Sequence, residues 1–195
     1  MRMKHVMLDL ETLGVNPFCV ILSIGALHFD PQKQGVFRDS FEVAVDPMSS
    51  AAAGLRIEPE TNFWWWDEAR DTARKHWMGL LKFDLNAALH GFSQWLDTFS
   101  EDREKHSDVL IWGNGANFDN VRLAEAYKVA NIPVPWAFYQ DRCFRTLKAL
   151  DKSYHLKPQP GSFLNDGVPH TALYDCFQQA AWMQNIVAEH KLGVE

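Results

Sequence analysis

The sequence predicts an α/β or α+β fold in which helices flank a mixed sheet. The first 45 residues contain three runs whose apolar pattern is typical of β-strands. From about residue 60 the apolar residues recur at helical spacing instead, and one further strand is predicted at 109–112, between the helices. This order of strands, helices, a strand and more helices indicates a sheet covered by helices.

The three N-terminal strands are expected to form a meander. Residues 4–10 and 19–29 are apolar runs, and the composition of residues 30–35 is typical of a turn. Apolar residues alternate with polar ones over much of 36–45, which predicts the third strand. We expect neighbouring strands of the meander to be antiparallel, since short connections join antiparallel strands.

Most of the remaining chain is predicted to be helical. Thr61 is the expected N-cap of a helix that contains three consecutive tryptophans. The other predicted helices cover 84–99, 118–130, 140–150 and 171–190. Proline and glycine are frequent over 157–169, which predicts a loop before the last helix.

Length and composition predict one domain over residues 1–195. The chain has 195 residues, 47% of them hydrophobic, which is enough to bury one core. No apolar run is long enough for a membrane span, and three widely spaced cysteines are typical of a reduced, cytoplasmic setting. A net charge of −6 argues against a protein that coats nucleic acid, but it is compatible with an acidic site that binds metal.

Asp9 and Glu11 stand at the end of the first apolar run. Residues i and i+2 of a strand project from the same face, so the two carboxylates repel each other. A divalent cation would relieve the repulsion and use both as oxygen ligands. The alternative is a strand end that meets solvent, which is the commoner meaning of this pattern on its own.

Two further acidic elements follow later in the chain. Asp119 comes after a glycine-rich turn and opens a predicted helix, where an acid also interacts favourably with the helix dipole. His170 and Asp175 are five residues apart, or about 140° around a helix, so they cannot share one helical face. We therefore place His170 in the loop before the last helix and Asp175 on that helix.

Together these residues resemble the motifs of the DEDDh exonucleases, which cleave from 3′ to 5′ and belong to the ribonuclease H-like superfamily. The matching positions are Asp9 and Glu11, then Asp119, then His170 and Asp175. The chain further resembles the phage-type branch of this family, which includes exodeoxyribonuclease VIII, exonuclease A and mycobacterial exoribonuclease relatives. The residues that carry this similarity are Trp112-Gly113-Asn114-Gly115, Trp64-Trp65 and Arg142-x-x-Arg145. Cys143 departs from that branch, which more often has an aspartate after the first arginine.

The resemblance implies a ribonuclease H-like fold with a five-stranded mixed sheet whose fifth strand lies near 134–139. It implies a catalytic site with two Mg²⁺ or Mn²⁺ ions and His170 as the general base. The implied metal ligands are Asp9, Glu11, Asp119 and Asp175. The implied reaction is 3′→5′ hydrolysis of single-stranded DNA or RNA, with DNA favoured, to nucleoside monophosphates.

Candidate substrate contacts lie beside these motifs. Leu13 and Gly14 follow the first motif, where related enzymes pass the 3′ end, although an ordinary turn would look the same. Trp64 or Trp65 is a candidate for stacking on a terminal base, against the alternative of core packing. Asn117 is a candidate for a hydrogen bond to substrate, against the alternative of bonding the turn backbone.

Two other functional classes remain open. A catalytically degenerate member of the fold would be a nucleic-acid-binding module, but it would be expected to lack a metal-binding acid. An endonuclease of the same fold would keep all the acids. The expected partners are single-stranded 3′ ends and, by resemblance, a second copy of the chain, but no membrane. Arg142 and Arg145 are expected on one side of a helix, where they would hold phosphate or pair with acids.

Overall fold

The computed structural model describes residues 3–159 and 167–194, so part of the predicted loop at 157–169 lies outside the described residues. The strands within this part are β1 (Lys4–Thr12), β2 (Ile21–Phe29), β3 (Phe37–Val45), β4 (Lys82–Phe83), β5 (Val109–Gly113) and β6 (Asp141–Cys143). They form one sheet in the order β4-β3-β2-β1-β5-β6. The predicted mixed sheet flanked by helices is confirmed, with the two-residue β4 as an additional edge strand.

The strand directions place the carboxyl ends of β1 and β5 next to each other. Strands β1, β2 and β3 form the predicted antiparallel meander. Strand β5 runs parallel to β1, and β6 runs parallel to β5. Leu8 is paired with Gly113, so the acidic end of β1 lies beside the glycine-rich turn that follows β5. Ligand sites commonly lie at the carboxyl ends of strands in such sheets.

The last strand of the sheet lies at Asp141–Cys143 and not near 134–139, as was expected. Pro135 has no N–H to give to a strand ladder, and residues 138–140 form a 3₁₀ turn. Gln140 instead donates side-chain hydrogen bonds of 2.6 Å to two backbone carbonyls near β5. This segment is therefore attached to the sheet by the side chain of Gln140, and backbone pairing with β5 begins only at Asp141, the first residue of β6.

The helices are α1 (Pro47–Ala52), α2 (Pro59–Trp65), α3 (Asp71–Gly79), α4 (Leu85–Asp97), α5 (Asp119–Val129), α6 (Phe144–Lys148) and α7 (Ala172–His190). Thr61 is not the N-cap of α2, because the helix already begins at Pro59, whose fixed φ suits the first helical position. The helix predicted over 140–150 is shorter, and its first residues form β6. None of the described helices is long and apolar enough to span a membrane.

Apolar side chains pack on both faces of the sheet. Val6, Leu8 and Leu10 of β1 belong to one core cluster, which includes α4 and α5. Met7 belongs to the other, which includes much of α7. Because side chains alternate along a strand, Asp9 and Glu11 project from the same face as Met7, towards α7. This alternation decides which helix can complete the acidic site.

Candidate functional site

Three carboxylates meet where the end of β1 faces the start of α7. One carboxylate oxygen from each of Asp9, Glu11 and Asp175 lies within 4.8 Å of the others. The predicted pairing of Asp9 and Glu11 on one face is thus present in the structure. Asp175 lies in the first turn of α7, as was predicted from its separation of five residues from His170 in the sequence.

The position of α7 depends on a close approach to β2. Gly25 pairs with Asp9 across the β1–β2 ladder. A Cβ atom at Gly25 would lie 2.4 Å from the backbone of both Ala172 and Leu173. No real Cβ contact is that short, so only glycine lets the first turn of α7 lie directly on the strand. This approach brings Asp175 to the pair on β1.

Asp119 reaches the same site from the opposite side of the strand ends. It is the first residue of α5, and its Oδ1 accepts a 3.3 Å hydrogen bond from the Leu10 N–H. A Cβ atom at Gly113 would lie 2.4 Å from Asn120 Oδ1 and 3.1 Å from Asp119 Oδ2. The glycine at the end of β5 therefore allows the start of α5 to pack against the strand and to place Asp119 at its end.

Burial makes proton loss unfavourable for all four carboxyl groups of the site, and neighbouring acids add to this for Asp9 and Glu11. Burial, and then the charges of Asp119, Glu11 and Asp175, raise the pKa of Asp9 well above its usual range. Burial followed by two neighbouring acids does the same for Glu11. Burial raises the pKa of Asp119 to about 7. The pKa of Asp175 is raised by burial and opposed by the charge of His170. The cluster therefore has more negative charge than its own surroundings stabilise.

His170 lies in the segment before α7, as predicted, and is exposed. Its backbone is left-handed, with φ at 62°, a conformation that is uncommon for residues other than glycine. The imidazole meets Trp64 edge to face, with ring centroids 5.8 Å apart and planes at 88°. An aromatic contact thus holds the exposed histidine beside the carboxylates.

The three consecutive tryptophans have three different environments. Trp65 is buried, and its Nε1 donates a 2.9 Å hydrogen bond to the Thr12 carbonyl. Trp64 is 38% exposed, and its ring lies 4.2 Å from the guanidinium carbon of Arg70. Trp66 is 59% exposed. Of the two tryptophans predicted to contact nucleotide, Trp64 therefore presents the accessible ring, and Trp65 positions the loop after β1.

A cavity of about 790 Å³ connects these groups. Its lining includes all five predicted catalytic residues, namely Asp9, Glu11, Asp119, His170 and Asp175. The predicted substrate contacts Gly14, Trp64 and Trp65 also line it. Leu13 does not, because its side chain is buried in the core at 8% exposure. Asn117 is exposed but lies in the turn outside this lining.

Two residues that position parts of the site, Gln179 and Glu58, were not predicted from the sequence. Gln179 donates a 2.8 Å hydrogen bond to Asp9 Oδ1, and its own buried Oε1 has no partner in the described part of the chain. Glu58 accepts the Val15 N–H at 2.6 Å and so fixes the loop after β1. The spacing of Gln179 from Asp175, i to i+4 on one helix, was the available signal for the first of these.

Arg145 also lines the cavity, but not as predicted. Arg142 belongs to β6 and Arg145 to α6, so the two do not share the face of a helix. Arg145 donates a 2.8 Å hydrogen bond to the backbone carbonyl of Asn114 in the turn after β5. The arginine is thereby held against the strand ends beside the acidic cluster.

The residues present fit a divalent metal. Three carboxylate oxygens converge within 4.8 Å. Burial raises the pKa of all three carboxyl groups, and neighbouring acids raise the pKa values of Asp9 and Glu11 further. Mg²⁺ and Mn²⁺ prefer such hard oxygen ligands over nitrogen or sulfur. A bound cation would compensate the charge that makes the cluster unfavourable on its own.

Solved structures with a similar fold are nucleases. The nuclease domain of 3′hExo, described as a DEDDh family member bound to rAMP, gives a TM-score of 0.62 at 13% identity over 95% of this chain and 92% of that one. Cell-death related nuclease 4 (CRN-4) gives 0.61 at 16% identity over 96% and 64%. E. coli exonuclease I in complex with a dT13 oligonucleotide gives 0.60 at 15% over 98% and 42%.

The chain thus spans less than two thirds of CRN-4 and less than half of exonuclease I. At these identities the similarity shows the fold. No curated protein matches the sequence. A family model, however, matches residues 4–187, which include all five predicted catalytic positions. The chain therefore belongs to the family described as the 3′-5′ exoribonuclease Rv2179c-like domain.

Proposed function

We propose that the chain hydrolyses single-stranded nucleic acid from its 3′ end and releases nucleoside monophosphates. The observation that carries this proposal is the convergence of Asp9, Glu11 and Asp175 in a cavity that also contains Asp119 and His170. Membership of a 3′-5′ exoribonuclease family gives the class of reaction and its direction.

The four acids are proposed to hold two Mg²⁺ or Mn²⁺ ions. Bound there, the ions would supply charge stabilisation for the scissile phosphate and for the attacking and leaving oxygens. Asp9 is proposed as the central ligand, because the charges of Asp119, Glu11 and Asp175 all raise its pKa. Gln179 fixes the orientation of its carboxylate. The side chains are thus arranged around one point at the strand ends.

His170 is the proposed general base. A neutral imidazole can accept a proton from the attacking water. Its edge-to-face contact with Trp64 restrains the ring on the solvent side of the acids. The exposed location allows the proton to pass to bulk water after each turnover.

The wide mouth of the cavity suits a chain end. Trp64 presents a partly exposed ring at the wall of the cavity, where a terminal base could stack. The sugar is not decided by these contacts, because discrimination rests on interactions with the 2′-OH. The family description favours RNA, whereas the sequence resemblance favoured DNA, so both belong in the first assay.

The test is digestion of matched single-stranded RNA and DNA that carry a 5′ label. We expect a descending ladder with Mg²⁺ or Mn²⁺ and no products with EDTA. Asp119→Asn and His170→Ala should lower the rate by at least about a hundredfold, whereas Glu104→Gln, in the connector before β5 at the opposite end of the strands, should not change it.

Each alternative class has its own outcome in this assay. Internal cuts would indicate an endonuclease, and binding without cleavage would indicate a nucleic-acid-binding module. Wild-type rates in the Asp119→Asn protein would refute the proposed site. The homodimer implied by the resemblance stays a prediction, and a monomer by light scattering would contradict it.

A further inference from the structure

Three cations that pair with no acid among the described residues lie together near the cavity. They are Arg145 and Lys148 on α6 and Lys157, which lies nine residues after Lys148. The ion pairs within residues 3–159 and 167–194 involve other cations and none of these three. In a chain with a net charge of −6, such a local excess of positive charge needs an explanation.

The three side chains are held in place by neutral groups. Arg145 donates to the Asn114 carbonyl at 2.8 Å, and Lys148 donates to Asn114 Oδ1 at 3.3 Å. The ammonium nitrogens of Lys148 and Lys157 lie 5.2 and 5.8 Å from the centre of the Trp182 ring. One asparagine and one tryptophan therefore collect three like charges into one strip.

These cations are close enough to repel one another. Burial, and then the charges of Arg145 and Lys157, lower the pKa of Lys148. The strip also reaches the acidic site. Arg145 lines the same cavity as Asp9, Asp119 and Asp175. A negatively charged ligand would relieve the repulsion among the cations, as a metal would relieve that among the acids.

The anchor of Lys157 is itself rigid. Trp182 Nε1 donates a 2.8 Å hydrogen bond to the buried carboxylate of Asp151. The same carboxylate accepts the Leu156 N–H at 3.0 Å. The turn before Lys157 is thus attached to α7, the helix that carries Asp175. The backbone from which Lys157 projects is therefore held close to the helix that carries Asp175.

We infer that Arg145, Lys148 and Lys157 bind the phosphodiester backbone of the nucleotides on the 5′ side of the cleaved bond. The scissile phosphate belongs at the carboxylate cluster, where Arg145 lines the cavity. Lys148 and Lys157 are not part of its described lining, so the phosphates they meet are those that remain outside. Backbone phosphates are common to RNA and DNA, and the strip serves either. This inference rests on the proposed function, since it takes the cavity to be the end of the strand's path.

The direct test is binding of 5′-fluorescein-labelled oligothymidylate and oligouridylate of about ten nucleotides. Binding is measured by fluorescence anisotropy in the presence of Ca²⁺ at several salt concentrations. We expect the Arg145→Gln, Lys148→Gln, Lys157→Gln triple variant to bind at least tenfold more weakly. Three lost phosphate contacts should also reduce the slope of log K against log salt by about 2, at roughly 0.7 per contact on single strands. Lys105→Gln, in the connector before β5 at the opposite end of the strands, is the control with the same type of charge change and should bind as wild type.

A second measurement separates this inference from the proposed function. The p-nitrophenyl ester of thymidine 5′-monophosphate has no nucleotide on the 5′ side. We expect the triple variant to lose far more kcat/KM on the oligonucleotide than on this ester. A protein with Lys148→Arg and Lys157→Arg, which keeps both positive charges, should keep the oligonucleotide binding that the triple variant loses. An affinity and salt slope equal to wild type in a folded triple variant would overturn the inference. Failure of the wild-type protein to cleave any strand would instead refute the proposed function, and the binding comparison would still decide the role of the strip.

Discussion

At the scale of single residues, the acidic cluster is held by amide groups and not by cations. Gln179 Nε2 donates to Asp9 at 2.8 Å, and the Leu10 N–H donates to Asp119. Within the described residues, no lysine or arginine forms an ion pair with the four acids at 4.0 Å or less. Amides orient a carboxylate without neutralising it, which leaves the charge available to a metal.

Gln179→Met should weaken metal binding because Asp9 loses the group that orients it. We expect the affinity for Mn²⁺, measured by calorimetric titration, to fall about tenfold or more, as for other groups that orient metal ligands. Gln178→Met is the matched control, because Gln178 bonds Tyr174 and does not contact the acids. Equal affinities for the wild-type and Gln179→Met proteins would show that Asp9 needs no such support.

At the scale of elements, the site is assembled by close backbone approaches. Gly25 and Gly113 each lie where a Cβ atom would come within 2.4 Å of a neighbouring helix start. The two glycines thus set the positions of α7 and α5, and through them those of Asp175 and Asp119. Neither glycine carries chemistry, yet the geometry of the site depends on both.

Gly25→Ala should push the first turn of α7 away from β2. Such overpacking typically costs about 1–3 kcal/mol of unfolding free energy, and the nuclease rate should fall as Asp175 moves. Urea denaturation and the oligonucleotide assay would measure the two effects. Gly79→Ala is the control, because a Cβ atom there meets nothing within 4 Å. A Gly25→Ala protein as stable and active as wild type would refute this role.

The elements that the sequence predicted well are those with a clear apolar period. Strands β1 to β3 and helices α4, α5 and α7 bury one face or both, and their bounds were predicted to within a few residues. Strand β6 has only three half-buried residues and depends on pairing with β5, which no local pattern reveals. The same holds for the contacts of Gln179 and Glu58, since they join residues far apart in the chain.

At the scale of the whole molecule, the site lowers the stability of the metal-free protein. The pKa values of Asp9, Glu11, Asp119 and Asp175 are higher in the folded chain than their ordinary values. The folded state therefore binds more protons than the unfolded state, and the free energy of unfolding falls as pH rises. For Asp119 this loss spans the range from its ordinary value of 3.8 to about 7.

Between about pH 4 and pH 8, the melting temperature of the metal-free wild-type protein should accordingly fall relative to that of Asp119→Asn. Mn²⁺ should raise it, most at the upper end of this range, because the ligands bind metal only without their protons. Asp119→Asn should make the metal-free protein more stable than wild type at high pH and reduce the effect of Mn²⁺. Asp39→Asn, on an exposed position of β3, should melt as wild type does. A melting temperature that is independent of pH and of Mn²⁺ would contradict the assignment of the cluster.

The position of α7 also determines when the proposed site is complete. Asp9 and Glu11 come from the first strand, but Asp175 and His170 come only after residue 169. A ribosome-bound chain that has exposed the meander and β5 therefore contains the strands of the site but lacks two of the proposed catalytic residues. On the proposed function, cleavage would begin only after the last described helix has left the ribosome and packed on Gly25.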